Sequence, residues 1–327
     1  MFYRCGGCGG NVVYDPQKKK MVCESCMTES NFQVIEQASL DQCDNCGTIL
    51  EAKPHTLSCK CPACSTYLIL NDRMEGDLKP DLVLPFTVDK NSAIEKLRES
   101  FGKKLFLPGN FLNASTVEKM EGVYVPFWMF DFHSEVSYIG RGEKIRTWSD
   151  GDYEYTETKI YRIEREFEVD YDKIPADGSS TMEDKLMDLL EPYDYAELID
   201  FKADYMSGFF ADTYDEDSDK VQPRAEEKAK KYANQQLRSS ISGYDNVIDQ
   251  HNFQNHDVQA IKYAFLPVWR YVYTFQGQEY HFFVNGQSGK VSGAPPISKG
   301  KAAGLGVITF ASVLFMVSMI INFLGVF

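Results

Sequence analysis

Eight cysteines in the first 64 residues fall into four Cys-x-x-Cys pairs: Cys5/Cys8, Cys23/Cys26, Cys43/Cys46 and Cys61/Cys64. Fourteen residues separate the first pair from the second, and fourteen again separate the third from the fourth. A Cys-x-x-Cys turn offers two thiolates from one short loop, and a second turn carried on a hairpin completes a tetrahedral set for Zn²⁺. The spacing therefore predicts two tandem zinc ribbons, each with an all-cysteine site, and two Zn²⁺ per chain. A site with four protein ligands has no open position, so the expected role is structural rather than catalytic.

The residues around the cysteines fit this chemistry. Gly9 and Gly47 follow the second ligand of their turns, where a tight knuckle favours positive φ; Met27 and Ser65 hold the equivalent places in the other two. Asn11–Tyr14 and Thr66–Leu70 are short β-type runs suited to hairpin arms. Disulfides and redox dithiols are the competing explanations. Disulfides need an oxidising compartment and the sequence has no signal-peptide pattern, while a redox dithiol usually appears once, near a βαβ pattern. Cys59, the ninth thiol, competes with Cys61 as a ligand, but Cys61-Pro62-Ala63-Cys64 has the better spacing. Cys59 is thus expected to be free, and His55 to be a loop residue. The equal connectors favour sequential, self-contained ribbons; a cross-braced arrangement, with pairs one and three sharing an ion, stays open.

Composition narrows the partners. The 327-residue chain carries 34 Lys and Arg against 48 Asp and Glu, a net charge of −14. Residues 1–70 hold six basic and seven acidic side chains, and each four-thiolate zinc centre adds about two further negative charges. Only Lys18-Lys19-Lys20 is locally basic, after Asp15-Pro16 where a solvated turn accounts for it. Nucleic-acid binding is disfavoured. At the other end, Gly304 to Val326 is an uncharged run of 23 residues. As a helix it is about 35 Å long, against about 30 Å for a hydrocarbon core. Lys299 and Lys301 precede it and no basic residue follows, so the positive-inside rule predicts a single-pass, tail-anchored plasma-membrane protein with its N-terminal region in the cytoplasm.

The region between must link ribbons to anchor. Expected boundaries are ribbon one at 1–35, ribbon two at 36–70, a linker at 71–81, an α+β domain at 82–298 and a transmembrane helix at 303–326. The fold class is thus multidomain α+β. An amphipathic helix is expected after Asp89 or Asn91, with Ile94, Leu97 and Phe101 on one face. Gly122 to Tyr171 reads as antiparallel strands, Thr181–Asp184 starts a short helix, Pro223 opens another, and strands return from Tyr263 to Val291. Tyr124-Val125-Pro126-Phe127-Trp128 echoes Phe265-Leu266-Pro267-Val268-Trp269, as two related half-units would. Chance similarity of aromatic strands is the alternative.

Enzyme signatures are lacking, and no catalytic residue is expected. Gly286–Val291 comes nearest to a phosphate loop, yet Val284 and Val291 stand where the first glycine and the hydroxyl belong, so it reads as a hairpin turn. The five histidines show no ligand spacing, and His251 and His256 sit in an Asn/Gln/Asp-rich stretch read as solvated. Asp215–Asp219 resembles the start of a calcium loop, but Lys220 replaces the required glycine, which leaves a solvated acidic loop.

The cysteine pairs, Leu84-Pro85-Phe86-Thr87-Val88-Asp89, Gly122–Trp128, Asn285–Val291 and the apolar tail together resemble the bacterial TFIIB-type zinc-ribbon membrane proteins, which are often mislabelled as a primosomal helicase. That resemblance implies a membrane-stress or membrane-organisation adaptor associated with phage-shock (PspA-like) or SPFH-type membrane proteins, without catalytic activity. A membrane-tethered nucleic-acid-binding ribbon protein is the alternative, and a thiol-based sensor using Cys59 a third.

Overall fold

The computed structural model describes residues 1–36 and 42–323. Residues 37–41 of the expected second ribbon and 324–326 of the expected span lie outside the described residues. The fold is mixed α and β, with two four-cysteine clusters in its N-terminal region and one apolar helix at 299–323.

In the first cysteine unit, β1 (Phe2–Cys5) pairs antiparallel with β4 (Phe32–Ile35), and β2 (Val12–Asp15) and β3 (Lys20–Cys23) form a hairpin between the two knuckles. The second unit uses β5 (Thr56–Lys60) and β6 (Tyr67–Ile69). The units are not isolated from each other. Phe2 is buried among Cys43, Leu50, Cys61 and Leu68 of the second unit, and Ile69 N–H donates to the Met1 carbonyl at 2.8 Å. Nor does a free linker follow them: residues 71–81 form two 3₁₀ turns, Met74 is buried, and the Asp81 carboxylate accepts from the Tyr263 N–H.

The body is one ten-stranded sheet with helices against it. Its elements are β7 (Leu82–Val83), α1 (Lys90–Phe101), α2 (Ala114–Val117), β8 (Glu121–Asp150), β9 (Tyr153–Asp177), α3 (Asp184–Leu190), β10 (Ile199–Asp200), β11 (Phe210–Asp212), α4 (Ser218–Ser240), β12 (Asn246–Phe275), β13 (Gln278–Asn285), β14 (Val291–Gly293) and α5 (Lys299–Phe323). β5 pairs with β11, so the second cysteine unit forms one edge of this sheet. Asp89 caps α1 by accepting from Ser92 N–H at 2.9 Å, and Ile94, Leu97 and Phe101 face the core as their spacing predicts.

The two Pro-x-Trp segments meet at the centre. β8 and β12 run antiparallel with Val125 opposite Leu266, its own counterpart in the echo, and this register creates a local two-fold arrangement. Its contacts come in matched pairs. β11 lies parallel to β8 at Val123 and Tyr124; β7 lies parallel to β12 at the equivalent Ala264 and Phe265. Trp128 Nε1 donates to the Glu216 carbonyl at 3.0 Å, and Trp269 Nε1 donates to the Val88 carbonyl at 2.8 Å. Each acceptor directly precedes a helix-capping aspartate, Asp217 or Asp89. The Pro126 and Pro267 carbonyls accept from Gly178 and Gly286 N–H, both at 2.9 Å. At Gly286 a Cβ would stand 2.7 Å from Phe86 and Pro267, so only glycine fits that crossing.

Beyond this centre β8, β9 and the first half of β12 extend as a three-stranded arm. On one face Phe132, Val136, Tyr138 and Ile163 pack under α4, whose Val221, Ala225, Ala229, Ala233 and Leu237 repeat every fourth residue. Two expectations need correction here. The polar stretch 246–262 is a strand, because its backbone pairs with β8 while its Asn and Gln side chains hide the hydrophobic alternation. α4 begins at Ser218, with Asp217 accepting from Lys220 N–H at 2.9 Å; Pro223 lies inside it, in the second turn. The acidic run 215–219 thus serves structure, and Asp215 accepts from Ser180 N–H at 2.7 Å.

Candidate metal centres

Four knuckles of one geometry hold the ligands. In each, the first cysteine carbonyl accepts from the N–H four residues on: Gly9, Met27, Gly47 and Ser65, at 2.9, 2.9, 2.7 and 3.0 Å. Each first-cysteine N–H donates to the carbonyl five residues on, from Gly10, Thr28, Thr48 and Thr66, at 2.9–3.0 Å. All four closing residues have positive φ, 72° and 78° at the glycines and 59° and 60° at Met27 and Ser65. The non-glycine pair therefore accepts a conformation side chains rarely adopt, a cost the surrounding site must offset.

Cys5, Cys8, Cys23 and Cys26 form one cluster; Cys43, Cys46, Cys61 and Cys64 form the other. The arrangement is sequential, and the structure shows no cross-bracing between the described quartets. Within them Cys5–Cys26, Cys8–Cys23, Cys43–Cys64 and Cys46–Cys61 have Sγ–Sγ distances of 3.7, 3.5, 3.7 and 3.6 Å. Two sulfurs of a tetrahedral site with bonds of about 2.3 Å stand roughly 3.8 Å apart, whereas a disulfide is about 2.05 Å long. The quartets are shaped to hold metal ions, and all nine cysteines are free thiols.

The electrostatics agree. The Cys26 N–H lowers the Cys23 thiol to about 7 against the effect of burial. At Cys26 the Thr28 N–H pulls downward, but the Cys8 and Cys23 sulfurs overrule it and push the thiol up to about 12. In the second quartet burial pushes Cys43 up to about 12; at Cys64 burial is outweighed by the Thr66 hydroxyl and N–H, which bring the thiol to about 6. Neighbouring sulfurs thus resist ionising together unless a cation joins them.

Cys59 stands outside both quartets, paired with Leu68 across β5 and β6. Burial raises its thiol pKa, which disfavours the reactive thiolate. His55 and the acidic run 215–219 join neither cluster. The structure does bring together His133, Glu135 and Glu168 on the β8–β9 arm, with His133 Nδ1 2.7 Å from Asp170. They come from two strands, and only the alternation His133-x-Glu135 facing Glu168-x-Asp170 could have signalled them. At the other end, Lys299–Ile320 is long and apolar enough to cross a membrane, and none of it is buried in the protein.

An uncharacterized Bacillus subtilis (strain 168) protein, YdjG, is 38% identical over 314 residues, covering 92% of each chain. The chain belongs to the YdjG family. No family model and no solved structure match it.

Proposed function

We propose that the protein is a membrane-anchored adaptor whose two N-terminal units are zinc ribbons. In this reading it belongs to the TFIIB-type zinc-ribbon membrane proteins and works in membrane stress or membrane organisation. Its partners are membrane-associated, PspA-like or SPFH-type proteins. The observation that carries the reading is the pairing of two closed four-thiol sites with an apolar helix that none of the described residues covers. Four thiolates in a tetrahedron favour Zn²⁺ and leave it no position for substrate. Lys299 and Lys301 support a cytoplasmic placement of the cysteine units, where thiols stay reduced.

Exposed Met27, Val34 and Ile49 give those units apolar points for protein contact. Nucleic-acid binding has less support. Lys18 and Lys20 both pair with Glu29, at 2.9 and 3.5 Å, which neutralises part of the one basic run. A photo-reactive amino acid at Ile49 tests the reading in living cells. Adducts with a PspA-like or SPFH-type membrane protein, lost in the Cys46→Ser variant, are expected. Adducts with nucleic acid instead would sink it.

A further inference from the structure

The two segments that meet where α5 begins contain no acid. No Asp or Glu occurs between Glu99 and Glu118, or anywhere after Glu279, in a chain with 48 acidic residues. The Ser298 N–H donates to the Phe106 carbonyl at 2.7 Å, which ties the loop after α1 to the entrance of α5. Between them lies a groove of about 630 Å³ formed by Lys103–Leu107 and Gly293–Ile297. Leu105 is 75% and Ile297 65% exposed, beside Lys103, Lys104, Lys299 and Lys301. None of these lysines has a carboxylate partner among the described residues; Lys104 instead lies 4.7 Å from the Phe101 ring.

We propose that this groove is a second membrane contact, which binds the headgroups of anionic phospholipids at the surface from which α5 departs. Lysines flanking exposed aliphatic side chains match that boundary, where ammonium groups reach phosphates and apolar tips enter the acyl edge. These lysines lie on two acid-free segments of a chain whose net charge is −14, so the groove discriminates anionic from zwitterionic lipid. The loop would fix the tilt of the body against the bilayer, which one helix with a short connection does not.

This inference rests on α5 spanning the membrane. The test uses the full chain in nanodiscs of phosphatidylcholine, alone or mixed with phosphatidylglycerol, with hydrogen exchange read at residues 103–107. Two lysines at about 1 kcal/mol each predict roughly 30-fold slower exchange with phosphatidylglycerol. The Lys103→Gln/Lys104→Gln variant should lose that difference while α1 exchanges as before. Equal exchange in both lipids, or a difference that survives in the variant, overturns the proposal. Failure of the chain to co-elute with either disc would overturn the spanning helix itself, and this contact with it.

Discussion

Each quartet places four thiols within 4.8 Å of one another, and a divalent cation allows all four to act as thiolates. Cys46→Ser should therefore reduce the metal content from two ions to one, with the first quartet still loaded; native mass spectrometry reads this directly. Loss of both ions would mean that the packing of Phe2 into the second unit couples the two sites more tightly than separate ligand sets imply. A second residue-scale prediction concerns Asp177, which is buried and held by Arg224. Burial raises its pKa and Arg224 works against that. Arg224→Met should cost about 3–5 kcal/mol by stranding the carboxylate. Adding Asp177→Asn should recover most of the loss, because Asn285 fills the equivalent place in the other half of the two-fold. Urea denaturation of the single and double variants measures this; no recovery would mean Arg224 acts through Asp184, 2.8 Å away.

At the scale of elements, the matched tryptophans explain why Pro-x-Trp occurs twice. Each indole ties one long strand to the loop before the other half's helix. Trp128→Phe and Trp269→Phe should each destabilise by about 1 kcal/mol, with more if the orphaned carbonyl stays dry. An effect from only one of them, in denaturant titration, would contradict the two-fold. On the arm, Asp249 accepts from Arg238 Nη1 at 2.8 Å and from Tyr138 Oη at 2.6 Å. Arg238 and then Tyr138 hold its carboxyl down to about 2. A carboxylate with a lowered folded pKa contributes stability above its ordinary pKa near 4, and that contribution fades as pH falls toward 2. Asp249→Asn should thus lower Tm at pH 7, with the gap to wild type closing between about pH 4 and 2. A gap independent of pH would assign the effect to packing instead.

These elements also show what the sequence made legible. The cysteine quartets, the Asp89 cap, the α1 face and the hairpin at Gly286–Lys290 were readable because ligand spacing and local hydrogen bonds are encoded within a few residues. The repeat was visible as an echo, but its meaning lay in the Val125–Leu266 register, a pairing across 141 positions. The strand over 246–262 was hidden by polar side chains, and the α4 start by a proline that usually opens a helix. The docking of both cysteine units on the body depends on contacts such as Tyr14 N–H with the Ser207 carbonyl, which no local pattern announces.

In the whole molecule, the two ends have separate tasks. In the proposed function metal folds the cysteine units, which the sheet holds, and α5 crosses the bilayer; no described residue buries its apolar surface. Truncation after Ser298 should give a protein that leaves the membrane pellet yet keeps both ions, since no ligand lies beyond Cys64. The most direct test is the metal content of the full chain in membranes washed with alkaline carbonate. The chain is expected to remain in the pellet with two zinc ions per molecule. Recovery in the carbonate supernatant, or a pelleted chain whose quartets carry disulfides and no metal, would contradict it.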